Sequence, residues 1–171
     1  MKIQLWGAAR TVTGSCYIME TADSRFAVDC GMHQGNAQIE KRNYEDALYR
    51  APELDFILLT HAHIDHSGLL PRMSREGFTG PVYCTEPTLD LLNIMLSDSA
   101  HIQETEAEWT NRKQARRGLK AVQPLYTLED AERIKAPLRP VAYWESFEPA
   151  PGVHVVYRDA WHILGSAILA V

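Results

Sequence analysis

The run Phe56-Ile57-Leu58-Leu59-Thr60-His61-Ala62-His63-Ile64-Asp65-His66-Ser67-Gly68-Leu69-Leu70-Pro71 decides how this chain is read. Its first five residues are mostly apolar, strand-forming types, the composition of a short buried strand. Three imidazoles and a carboxylate follow within six positions, all suited to a divalent metal. Side chains alternate faces along a strand, so His61 and His63 are expected on one side of the strand's end. Asp65 and His66 then swing back from the loop toward the same point, which suits two neighbouring metal ions better than one. A helix is expected to begin near Ser67–Pro71. The ordinary alternative is a solvated histidine-rich turn, but ligand types, spacing and setting together point to a metal centre.

Around this run the chain reads as one α/β domain over residues 1–171, a mixed sheet with external helices. Strands are expected over Lys2–Gly7, Cys16–Thr21 and Arg25–Asp29, with turns at Thr13-Gly14-Ser15 and Ala22-Asp23-Ser24. A polar section, 31–50, leads to the strand before the metal motif. A short helix over Leu69–Glu76, ended by Gly77, then a strand over Pro81–Thr85, make a parallel crossover unit. From Pro87 a long helix carries the stripe Leu89, Leu92, Met95 and Leu96 and continues, exposed, over 104–118. Thr127 with Asp130 caps a further helix that Pro137 stops. Strands return over Val141–Phe147, Val153–Tyr157 and Ala167–Val171.

Composition narrows the classes. An apolar content of 46% and a charged content of 23% are those of an ordinary globular protein. No stretch approaches a membrane span, and the N-terminus enters a strand rather than a signal peptide, so the cytosol is the expected location. The three cysteines, Cys16, Cys30 and Cys84, are far apart and expected to be buried as small hydrophobes. A net charge of −5 argues against a generic nucleic-acid binder but leaves room for a local basic face. Arg112, Lys113, Arg116, Arg117 and Lys120 form such a stretch; a solvated helix face is its first reading and phosphate contact its second.

Downstream, Asp159-Ala160-Trp161-His162-Ile163-Leu164-Gly165-Ser166 sets a histidine between two expected strands. Alone, His162 reads as a hydrogen-bonded histidine. Beside His61 and His63 it becomes the third ligand that a catalytic zinc site takes from a remote loop.

These stretches resemble the metallo-β-lactamase fold superfamily, whose signature is His-x-His-x-Asp-His after a strand. The segments 7–16, 29–35, 60–71 and 162–167 are similar to the β-CASP ribonuclease branch, which includes the endonuclease of the polyadenylation machinery and its archaeal and bacterial relatives. The resemblance implies the N-terminal portion of an αββα sandwich. It implies that His61, His63 and His162 hold one zinc and that Asp65 and His66 hold a second. Asp29 would orient the site without ligating, and His33 falls near the site without an assigned role.

The same resemblance marks departures. The aspartate that bridges both metals, the β-CASP insertion and a final histidine have no counterpart in the chain, and Trp161 stands where a glycine is common, a crowding of the approach to His162. The chain is therefore expected to be a partial domain whose uncovered apolar surfaces self-associate. The expected chemistry is RNA phosphodiester hydrolysis with two metals about 3.5–4 Å apart, zinc by preference and iron or manganese as alternatives. Asp65 would serve as both ligand and catalytic group. A non-catalytic metal-binding or assembly fragment, and an ester or thioester hydrolase of the same fold, are the competing readings.

Overall fold

The computed structural model describes residues 1–45 and 50–171; positions 46–49 of the polar section lie outside the described residues. Strand β1 (Lys2–Leu5) pairs antiparallel with β2 (Tyr17–Glu20), and β2 with β3 (Arg25–Val28). A single-turn helix, α1 (Ala37–Glu40), and two 3-10 turns precede β4 (Phe56–Leu58). One-turn α2 (Ile64–Ser67) and α3 (Leu70–Arg75) lead to β5 (Val82–Thr85). The 30-residue α4 (Glu86–Ala115) and α5 (Leu128–Arg133) then lead to β6 (Leu138–Val141). Strands β3 to β6 are parallel, so the first sheet runs in chain order from β1 to β6. A second, antiparallel sheet holds β7 (Ser146–Ala150), β8 (Val153–Asp159) and β9 (Ala167–Ala170).

The apolar run at 56–59 is continuous because both faces of its strand are covered. Ile57 and Leu59, with Ile18, Ala27, Val82 and Cys84, point to the helices, where Leu92, Leu96 and Leu70 meet them. Phe56 and Leu58, with Phe26 and Met19, point to the second sheet and meet Val153, Val155 and Tyr157. Phe26 and Phe56 stack with ring centroids 4.5 Å apart. The described residues thus supply a helix layer and two sheets, three of the four layers of the expected sandwich. Cys16, Cys30 and Cys84 are free and buried, as their settings suggested. No helix among the described residues is long and apolar enough to cross a membrane.

Local signals explain most boundaries. Thr127 Oγ1 accepts from the Asp130 amide at 3.3 Å while Asp130 Oδ2 accepts from the Thr127 amide at 3.0 Å, a reciprocal cap that starts α5. The strand expected over Val141–Phe147 is a correction. Leu138–Val141 is the strand, and Trp144, at φ +67°, turns the chain before β7. Pro140 lies within β6, and β6 is an edge strand, where a missing amide donor is tolerated.

Candidate metal centre

The strand that feeds the metal motif ends at Leu58, earlier than the sequence suggested, and His61 and His63 stand in the loop that follows. Asp65 and His66 lie on α2, not on a returning loop. Ser67 Oγ donates to the Ala62 and His63 carbonyls at 2.9 and 3.1 Å, and the His66 and Ser67 amides both donate to the His63 carbonyl, winding this turn.

A single helical turn is not stable by itself, and two neighbouring loops hold it through the backbone. The Ser15 amide donates to the Asp65 carbonyl at 2.8 Å, Cys30 to His66 at 2.7 Å and Met32 to Ile64 at 2.9 Å. Gly31 makes this approach possible, since a Cβ there would sit 1.7 Å from the Asp65 carbonyl oxygen. The stretches 7–16 and 29–35 that matched beside the histidine motif are therefore the ones that grip it.

Three imidazoles converge. His63 Nδ1 lies 3.1 Å from His61 Nε2 and 3.3 Å from His162 Nε2. One ring nitrogen from each of the three lies within 4.8 Å of the other two. His162 reaches them from the β8–β9 loop, whose shape is set by hydroxyls. Ser166 Oγ accepts from the His162 and Ile163 amides, both at 3.2 Å. Thr85 and Thr88 donate to the Gly165 carbonyl at 2.6 and 2.9 Å. The Ala167 amide donates to the Thr60 carbonyl at 2.9 Å, joining the second sheet to the residue before His61. Three imidazole nitrogens at this separation form the donor set a divalent metal takes, with room left for further ligands.

Asp29 sits beneath the cluster, 1% exposed and at φ +60°, a conformation Asp and Asn adopt more readily than most residues. Its carboxylate accepts from the Thr60 amide at 2.8 Å, the Thr60 hydroxyl at 2.9 Å, Ser15 Oγ at 3.2 Å and His66 Nδ1 at 2.7 Å. Burial, then the neighbouring His66, holds His61 down at about 4, so it is neutral at pH 7. Burial also lowers His66, but the hydrogen bond and charge of Asp29, with Asp65, outweigh it and the net shift is upward.

The other candidates fall as follows. The His66 ring lies 4.1 Å from that of His61, and Asp65 Oδ2 stands 3.8 Å from His66 Nε2; among the described residues the two join no further group of three or more potential ligands. His33 is 1% exposed; its backbone is clasped by Asn43 at 2.7 Å on both the amide and carbonyl sides, and its ring packs under Gly14 rather than in the cluster. Trp161 adopts φ +54°, a glycine-like conformation, but its indole is 92% exposed and turned to solvent. Arg112 and Lys113 at the far end of α4, and Arg116, Arg117 and Lys120 just beyond it, are all exposed. At 1.5 Å per residue that end is about 40 Å from Thr88, so the structure does not bring the basic stretch to the metal cluster. Lys113 lies over the Trp109 ring at 3.2 Å and Arg112 pairs with Glu108 at 3.4 Å. Sequence reasoning passed over Ser15, Thr60 and Ser166, whose hydroxyls carry no periodic signal.

A sequence profile of the metallo-beta-lactamase superfamily matches residues 9–158. Ribonuclease TTHA0252 of Thermus thermophilus is 36% identical over 169 residues, which span 99% of this chain and 34% of that protein. Transcription termination factor FttA of Methanocaldococcus jannaschii is 30% identical over 168 residues, 98% of this chain and 24% of its own. The chain thus spans about a third or less of the length of these relatives. Among solved structures, the subclass B3 metallo-beta-lactamase MEM-A1, from a soil metagenome library, superposes with a TM-score of 0.52 at 17% identity, covering 91% of this chain and 50% of that one. A Cronobacter sakazakii metallo-beta-lactamase with a HARLDQ motif gives 0.57 at 14% identity, covering 96% and 50%. At such identities the structural likeness speaks to the fold alone. The relatives agree with the ribonuclease-type resemblance drawn from the sequence.

Proposed function

The chain belongs to the metallo-beta-lactamase superfamily, and from that premise we propose that it is the metal-binding portion of a cytosolic hydrolase that cleaves RNA phosphodiester bonds. The observation that carries this reading is the convergence of His61, His63 and His162 within 4.8 Å, with Asp65 and His66 alongside. Zinc suits a donor set of imidazoles and a carboxylate. A metal pair held by these five residues supplies Lewis acidity and a water activated near neutral pH. His61, His63 and His162 bind; Asp65 binds and takes up a proton; Asp29 holds His66 in place. The names of the relatives, a ribonuclease and a transcription termination factor, support RNA as the substrate. In this reading the exposed basic end of α4 contacts the phosphate backbone away from the metals.

Cleavage of labelled single-stranded RNA, with and without chelator, tests the proposal on wild type and His63→Ala. Activity lost in both the chelated and the mutant samples is expected; cleavage that survives both would overturn it. One observation favours a second reading. Among the described residues His61, His63 and His162 form the one group of three potential ligands, and Asp65 and His66 join no further group, which suits a fragment that binds one metal without turnover. Elemental analysis separates the two: close to two ions per chain fits the hydrolase, one ion with no cleavage fits the fragment. Ile3 and Leu5, exposed on β1, share with Met19 the side of the first sheet that faces the second, and they are the surface through which the chain would self-associate, read by sedimentation.

A further inference from the structure

We propose that the Thr60 hydroxyl is a positioning group: it passes the orienting effect of Asp29 on to His61 and fixes that imidazole with Nε2 free to bind a metal. The inference rests on reading His61, His63 and His162 as a metal centre and adds to it a residue outside the ligand set.

The argument is one of proton counting. Thr60 Oγ1 lies 2.9 and 3.0 Å from the two Asp29 oxygens and 2.9 Å from His61 Nδ1. A hydroxyl has one proton to donate, and carboxylate oxygens only accept, so that proton belongs to Asp29. What Thr60 turns toward His61 is then a lone pair. The 2.9 Å contact is a hydrogen bond only when His61 Nδ1 carries its own proton and donates it. An imidazole that binds a metal through one nitrogen keeps a single ring proton on the other; with that proton on Nδ1, Nε2 is left bare, and Nε2 is the atom that faces His63 Nδ1 at 3.1 Å.

The same carboxylate takes the Nδ1 proton of His66 directly at 2.7 Å. One buried charge therefore sets two imidazoles, one by contact and one through a hydroxyl. Thr60 is itself tightly placed. Its amide donates to Asp29 Oδ1 at 2.8 Å, its carbonyl accepts from Ala167, and its β-branched side chain has few χ1 choices. The hydroxyl is held where the relay needs it.

The test uses Thr60→Val, which keeps the shape and deletes the hydroxyl, and Thr60→Ser, which restores it. The first readout needs no metal: ring 15N shifts of His61 in the metal-free wild type at pH 7.5. The Nδ1–H tautomer should dominate in wild type and in Thr60→Ser, and lose its dominance in Thr60→Val. The second is zinc affinity by competition with a chromogenic chelator, with far-UV circular dichroism to confirm folding. Loss of an orienting partner should weaken binding by about 10–100-fold in Thr60→Val and leave Thr60→Ser near wild type. A wild-type His61 protonated mainly on Nε2, or a folded Thr60→Val that binds zinc as tightly as wild type, would overturn the relay. If Thr60→Val does not fold, the wild-type tautomer decides alone. Wild type that binds no zinc would instead overturn the metal centre itself.

Discussion

Asp29→Asn is the substitution that asks most of this structure. The side chain is 1% exposed, its backbone at φ +60° is one Asn also accepts, and the shape is unchanged, so the perturbation is confined to charge and one proton acceptor. If the Asn oxygen stays with the Thr60 amide and hydroxyl, its NH2 faces His66 Nδ1, formerly 2.7 Å from a carboxylate oxygen, and Ser15 Oγ. Ser15 can rotate its proton and accept. His66 cannot: it meets a donor with a donor and must move its proton to Nε2. One charge-assisted hydrogen bond is lost, worth about 2 kcal/mol, which for a chain of this size lowers Tm by about 4–8 °C.

The sign with pH follows from His66. Its folded value is raised by Asp29, so its contribution to stability is present below about 6.5 and fades as pH climbs through the folded value. The Asn variant should accordingly trail wild type by more at pH 5.5 than at pH 8.5. Melting of metal-free protein at both pH values, with an NMR titration of His66, reads both effects. A variant that melts within about 1 °C of wild type, with His66 titrating unchanged, would refute the account of Asp29 as the hub of the site.

Gly31→Ala should cost about 3 kcal/mol, because the new Cβ meets backbone atoms of Asp65 at 1.7 Å and Ser15 at 2.7 Å and neither can give way alone; a urea midpoint equal to wild type would contradict this. Trp161→Gly should stabilise by about 0.5–1 kcal/mol, since relief of about 1–2 kcal/mol of left-handed strain exceeds the added chain entropy, and a lower Tm would show that the exposed indole packs somewhere. His61, held near 4, binds its proton more readily when unfolded, so metal-free protein should lose stability as pH falls from about 6.5 toward 4. The urea midpoint of His61→Asn should flatten over that window relative to wild type; parallel curves would exclude His61 as the cause.

The parts of the fold legible in the sequence are those written in neighbouring residues. The run at 56–59 and the Thr127–Asp130 cap involve positions at most four apart, and both stand in the structure. The convergence of His61, His63 and His162 was legible only through a family pattern, because His63 and His162 are 99 positions apart. What escaped is chemistry across such distances by small side chains. Thr60 meets Asp29 over 31 positions and Thr85 meets Gly165 over 80, and nothing in a serine or threonine announces its partner. Val141–Phe147 misled for the opposite reason: local β-forming residues outweighed a turn that Trp144 makes at φ +67°.

The bond from the Ala167 amide to the Thr60 carbonyl has a consequence for dynamics. His61, His63, Asp65 and His66 ride on the first sheet, whereas His162 rides on the second. Any opening that parts the two sheets at this end leaves four of the five side chains together and withdraws the fifth. Completeness of the centre is thus a matter of sheet closure, and one amide reports it. The exchange rate of the Ala167 proton with deuterated solvent measures how often the triad comes apart, without any substrate in the tube.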